Sequence, residues 1–307
     1  VSMSLIPETA VTGTYGEAPP GYRLPGTLRL GPVVLMVSDL PRSALFYERV
    51  LGMRVLEQGA TQARLGAHMG TEALVELRTA PGIRPRSRQP RLGLFHFALL
   101  LPDRASLGRF VRHLQELGVR AGAGDHAVSE AFYLDDPDGL GIEVYADRPR
   151  SAWQRVGREL VMGTDPVDIA GLVAAAGPMP WVGMPSGTVM GHLHLHVGDL
   201  ARAAALYSDA LGFDRMVWRS PGALFFGAGG YHHHLGANIW AGPGAGAPPA
   251  DEARLLEWTM LVSSVVELDA VAASLERAGY AVQREAAGAS FCVPDPWGTV
   301  LRVATPD

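Results

Sequence analysis

Apolar positions along the chain alternate between two periods. Val33–Val34–Leu35–Met36–Val37 forms an extended apolar run, breaks at Ser38-Asp39-Leu40-Pro41, and continues as Ala44, Phe46, Tyr47 and Leu51 at helical spacing, up to Gly52. The same form returns 160 positions later, where Leu193–His194–Leu195–His196–Val197 leads through Gly198-Asp199-Leu200 to Ala203, Leu206, Tyr207, Leu211 and Gly212. Each copy predicts strand, turn and helix, with Gly52 and Gly212 as helix C-caps. A weaker copy runs from Phe95 through Pro102-Asp103 to Leu107, Phe110, Val111, Leu114 and Gly118, and a fourth from Trp258 through Ser263-Ser264 to Leu268, Val271, Leu275 and Gly279. The turn anchors fall at 39, 103, 199 and 264, so the intervals are 64, 96 and 65, which makes two pairs joined by a linker.

After each helix the pattern becomes short alternating runs between glycine-containing turns, as at Met53–Glu57, Ala73–Arg78, Met216–Arg219 and Asn238–Trp240. The unit is therefore β-α-β-β-β, and the fold class is α+β with four such modules in two domains. The expected organisation is an N-terminal extension over 1–30, a first domain over 31–149, a linker over 150–187 and a second domain over 188–307. Within the linker, Asp165-Pro166 followed by Val167, Ile169, Leu172, Val173 and then Gly177 predicts a short capped helix with proline in its first turn.

Composition narrows the function. The 307 residues are 48% hydrophobic and 19% charged, enough for two cored domains. A net charge of −5 without a basic block argues against nucleic acid as a partner. Cys292 is the sole cysteine, which excludes an intrachain disulfide or a thiolate cluster and fits a cytoplasmic protein. Neither a basic start followed by an apolar run nor an 18-residue apolar stretch is present, so secretion and membrane spanning are not expected.

Six of the ten histidines lie in two runs, His192, His194, His196 and His232, His233, His234. Alternate residues of a strand share a face, so His192, His194 and His196 point one way while Leu193, Leu195 and Val197 point the other. Glu143 lies between Ile142 and Val144, and His96 between Phe95 and Phe97. A carboxylate on an inward face needs a partner, because burying it alone costs several kcal/mol. Pattern alone leaves Glu143 open between an inward and a solvent-facing position, and His96 open between a ligand and a core histidine.

The segments "SDLPRSALFYERVLG" and "GDLARAAALYSDALGF", each after an apolar strand, resemble the vicinal oxygen chelate superfamily of glyoxalases, bleomycin-resistance proteins and extradiol dioxygenases. "GLFHFALLLPD", "GDHAVSEAFYLDDPDGLGIEVYADRPRSAWQ", "GHLHLHVGDL" and "GGYHHHLGANIWAG" are similar to its two-domain bacterial catechol-2,3-dioxygenases. That resemblance implies Fe(II) held by two His and one Glu, and ring opening of a catechol by O₂ beside the two hydroxyls. It makes His192, seven residues before the Asp of "GDL", the first ligand, with His194 and His196 as cavity wall and His194 near the substrate.

Comparison of the repeats completes the set. The counterparts of His192, His96 and Glu143 are Pro32, Glu257 and Arg302, so ligand types occur together only in units two and three. Setting those units side by side brings His96, His192 and Glu143 into one site, two imidazoles and a carboxylate of the kind that binds non-haem Fe(II), though Zn(II) or Mn(II) also suits these donors. The resemblance further places His126 as a general acid or base, Tyr133 as a phenolic donor to substrate, and His234, less surely His233, as an active-site histidine. His232 receives no role. The expected partners are a small aromatic diol and O₂, with a homo-oligomer open. Two other classes share the fold: a metal-dependent isomerase or lyase of glyoxalase type, whose fourth ligand only Glu257 could supply, and a metal-free drug-binding module.

Overall fold

The computed structural model describes residues 7–285 and 288–306. All four turn anchors are helix N-caps. Asp39, Asp103, Asp199 and Ser264 accept hydrogen bonds from the backbone N–H groups of Arg42, Ser106, Arg202 and Glu267, meeting donors the first turn leaves free. The helices they start are Leu40–Arg49, Arg104–Leu117, Leu200–Ala203 and Val265–Arg277, the third widening into a π-helical segment over Ala204–Ala210.

The linker helix starts later than the proline signal suggests. It spans Ile169–Ala175 with Asp168, not Asp165, as N-cap. Asp165 is engaged elsewhere, exchanging two backbone hydrogen bonds with Asp125 at 2.8 and 2.9 Å, so it cannot begin a helix.

Two eight-stranded sheets carry the fold. The first runs Asp214–Val217, Ala223–Gly227, Leu235–Asn238, Val189–His196, Gly93–Leu100, Gly141–Asp147, Ser129–Asp135 and Gly122–Asp125; the second is built the same way from units four and one. In each unit the first strand pairs in parallel with the last, as right-handed crossovers allow, and antiparallel with the first strand of the partner unit. Each sheet thus takes one unit from each half of the chain. Units two and three share one, and the halves 31–149 and 188–307 are interleaved rather than separate. The N-terminal segment is stitched in as well: Glu8–Thr9 pairs with Gln154–Val156, and Leu24 and Leu28 join the core.

The two Asp-Pro turns before the last strands of units two and four tie the sheets together. Tyr47 of unit one donates to Asp136 at 3.3 Å, and Tyr207 of unit three donates to Asp295 at 3.1 Å. "DDPDGLG" is a turn, with one Asp136 oxygen accepting from the N–H groups of Asp138 and Leu140. Burial pushes the Asp136 carboxyl up to about 7 despite those hydrogen bonds. The unfolded chain releases this proton near pH 4. The folded protein therefore binds the proton more tightly, and the stability this supplies is full below about pH 4 and lost as pH rises through about 7. Asp136→Asn lacks that loss, so its stability relative to the wild type should rise between pH 5 and pH 8, by about 3 kcal/mol, read as a growing gap in melting temperature. A gap that stays constant across this range would contradict the assignment.

Candidate metal centre

Strand register builds the site. His192 pairs with Ala98, Ala98 with Glu143, and Glu143 with Tyr133, so four adjacent strands place these residues in one row across the sheet. Side chains in such a row share a face. Ala98 is the smallest of them, and over its methyl group His192 and Glu143 meet: His192 Nε2 lies 3.0 Å from Glu143 Oε2. His96, on the same strand as Ala98, brings its Nε2 within 3.0 Å of that same oxygen.

One donor atom from each of His96, Glu143 and His192 lies within 4.8 Å of the others, all three residues being buried. Two ligands about 2.1 Å from an ion and at right angles to each other are roughly 3 Å apart, the separation found for both histidine–carboxylate pairs. Among the described residues, His96 Nε2 makes no well-aligned hydrogen bond, although it lies 3.0 Å from that oxygen. A buried nitrogen left unpaired, beside a carboxylate oxygen that two rings share, fits an ion between them. Burial raises the Glu143 carboxyl, but His192 and His96 outweigh it and hold the group well below the ordinary range, so it is ionised. Burial also lowers His192, which keeps that ring neutral and able to ligate.

Around this centre the other candidates separate. His126 Nδ1 donates to the Gly163 carbonyl at 2.6 Å, which leaves Nε2 to accept from the Tyr133 hydroxyl at 2.5 Å. The Tyr133 ring lies 5.5 Å from His96, and burial, with Glu143 beside it, raises its phenol. His194 is next to His96 at 5.1 Å between ring centres, enclosed by Phe95, Phe225 and Trp240. His196 is held by Asn238, 2.7 Å from its Nδ1.

The members of the histidine triplet separate, all three preceding the strand Leu235–Asn238. His233 is the one beside the centre, with its ring 4.1 Å from that of His192, and burial holds it well below the ordinary histidine value. His234 points away: its Nδ1 accepts from the Ala228 N–H, its ring packs on Phe213 and Tyr231, and burial lowers it to about 3. It lines a groove of about 1030 Å³ shared with Leu100, Met190 and Tyr231, to which none of the three candidate ligands contributes.

In the second sheet the equivalent place is filled from within. Arg302 donates to Glu257 through two nitrogens at 2.7 and 3.1 Å, so the carboxylate that might have served as a fourth ligand is paired in the other sheet.

The family described as "Glyoxalase/Bleomycin resistance protein/Dioxygenase superfamily" matches residues 29–144 and 189–303. The chain belongs to this superfamily. Its sequence is 47% identical, over 270 residues, to a protein of Bacillus subtilis (strain 168) named catechol-2,3-dioxygenase, covering 87% of this chain and 93% of the relative. Among solved structures, a putative dioxygenase from Bacillus subtilis subsp. subtilis str. 168 superimposes with a TM-score of 0.64 at 13% identity, over 93% of this chain and 86% of that one. Glyoxalase I from Zea mays does so with a TM-score of 0.53 at 18% identity, over 91% and 92%. At those identities the two structures speak for the superfamily fold alone.

Two features of this superfamily member lie outside the residues singled out from the sequence. The register between His194 and Leu195 slips by one, opposite Phe95, and this bulge turns Phe95 onto the same face as His96. Phe95 then lies 4.8 Å from His196 and 5.8 Å from Trp240 between ring centres, making an aromatic wall. The second feature is a polar cluster of Tyr145, Asp147, Tyr231 and His232 behind His233. Alternation from Glu143 already put Tyr145 and Asp147 on its face, a signal available in the sequence.

Proposed function

We propose that the protein is an extradiol dioxygenase that opens catechol or a small substituted catechol with Fe(II) and O₂, His96, His192 and Glu143 being the iron ligands. The observation that carries this reading is the buried convergence of two imidazole nitrogens on one carboxylate oxygen at 3.0 Å. Relatedness to a catechol-2,3-dioxygenase at 47% identity supports the reaction class. Three protein ligands leave positions for both oxygens of a diol and for O₂. Held there, Fe(II) supplies the redox path between a chelated catechol and O₂, with no external reductant.

The chain's own groups supply the rest. Phe95, Phe225 and Trp240 offer edges and faces to a flat aromatic ring beside the ligands. Proton handling falls to two groups, one beside each end of the ligand row. Tyr133, whose hydroxyl donates to His126, sits next to Glu143 with its oxygen lone pair free to accept from a substrate hydroxyl. His233, a neutral ring next to His192, is placed to accept a proton from the diol and return one later. Bringing diol and oxidant together at one centre is catalysis by proximity. Glu257, committed to Arg302, speaks against a four-ligand isomerase.

The test is metal analysis of anaerobically purified protein, followed by oxygen uptake with catechol. About one iron per chain is expected, with uptake that needs Fe(II) but not NADH. Protein that binds no iron, or that consumes no O₂ when iron-loaded, would overturn the reading.

A further inference from the structure

Behind the candidate ligands, Asp147 and His232, to which the reading above assigns no task, form a hydrogen-bonded chain that ends on His233. Asp147 Oδ1 is 2.8 Å from His232 Nε2, and His232 Nδ1 is 2.7 Å from His233 Nδ1. The ring of His233 in turn lies 4.1 Å from that of His192. His232 is fully buried, its ring between those of Tyr231 at 4.1 Å and Trp153 at 5.3 Å, so it cannot rotate freely. Tyr231 also donates to Asp147 Oδ1 at 3.3 Å and shares a 2.7 Å hydrogen bond with Tyr145, fixing the carboxylate at the head of the chain.

Donor and acceptor rules set the protons. An ionised carboxylate only accepts, so the proton between Asp147 and His232 sits on His232 Nε2. With one proton per imidazole, His232 Nδ1 is then a bare acceptor. The 2.7 Å contact between the two Nδ1 atoms needs one proton, and only His233 can supply it. His233 Nε2, on the far side of its ring, is then left with a free lone pair.

We infer that Asp147 and His232 are positioning residues that lock His233 into the tautomer with Nδ1 protonated and Nε2 bare, presenting Nε2 as the proton acceptor beside His192. An imidazole whose tautomer is undetermined is a competent base for only part of the time, whereas this chain commits it before substrate arrives. What His233 does with that lone pair rests on the dioxygenase reading; the tautomer does not.

The tautomer can be read directly. In the full chain with ¹⁵N-labelled histidine and diamagnetic Zn(II) as the metal, two-bond ¹H–¹⁵N correlation spectra distinguish Nδ1–H from Nε2–H rings, and the His233 pattern is assigned by its disappearance in His233→Asn. The wild type should show His233 as Nδ1–H. His232→Phe removes the acceptor and Asp147→Ala the anchor, so each should move His233 towards a mixed or Nε2–H pattern. His232→Asn puts an amide oxygen near the former Nδ1 position and should restore the wild-type pattern. With iron and catechol, kcat should fall about 10²-fold in His232→Phe and return to within about fivefold in His232→Asn, at unchanged iron content and KM. An Nε2–H pattern in the wild type, or a wild-type pattern in both His232→Phe and Asp147→Ala, would overturn the inference. The expected tautomers in a protein that opens no catechol would support it and reject the dioxygenase reading instead.

Discussion

Glu143→Gln should strip the protein of its iron. Glu143 is 2% exposed, is the anionic member of the candidate set, and offers one oxygen to two imidazoles. The glutamine keeps the shape and the row across the sheet but removes the charge that offsets the cation's loss of water. Ferrous ion is a weak binder among first-row divalent metals, so two neutral nitrogens alone should not retain it. Iron per chain is expected to fall below about a tenth of the wild-type value, and turnover by more than about 10³-fold. Removing a group that merely supports a ligand already costs about 10–100-fold in affinity, and a ligand should cost more. The variant should fold, since it replaces a buried carboxylate with a neutral isostere. Full iron content in folded Glu143→Gln would mean that the ion, if any, sits elsewhere.

His233→Phe and His234→Ala should part company. Both residues belong to the triplet, and the sequence reading leaned to His234. The backbone turns His233 towards His192 and His234 towards Phe213 and Tyr231. Loss of a proton-transferring side chain costs about 10²–10⁴-fold in rate. His233→Phe should therefore keep its iron and lose kcat by that factor, while His234→Ala stays within a few-fold of the wild type. The measurement is iron content alongside steady-state oxygen uptake for the two variants. The opposite ranking would restore the original register.

How the sequence encodes this site differs from residue to residue. The four turn anchors became helix caps because capping is a local matter of one side chain and one backbone N–H. His96, His192 and Glu143 could be brought together on paper because strand alternation and the spacing of repeats fix face and unit, and because Pro32 and Arg302 rule out the alternative pairing. Four things required coordinates. The bulge at Phe95 shifts alternation by one residue, and nothing in a run of apolar residues marks where a strand slips. The linker helix began at Ile169 because Asp165 found a distant partner in Asp125, a contact across 40 positions that no local signal encodes. The triplet lies just before its strand, where alternation is not yet in force, so the choice between His233 and His234 depended on the approach of the chain. Ala98 is the quiet case: its smallness lets His192 and Glu143 touch, and its role is visible only once the register is known.

The most direct measurement is the product formed from catechol and ¹⁸O₂ by the iron-loaded enzyme, identified by mass spectrometry and NMR. Cleavage beside the hydroxyls should give a yellow ring-opened semialdehyde carrying both labelled atoms, one O₂ consumed per ring. A dicarboxylic muconate, formed by cleavage between the hydroxyls, or an intact ring with no O₂ consumed, would contradict the account.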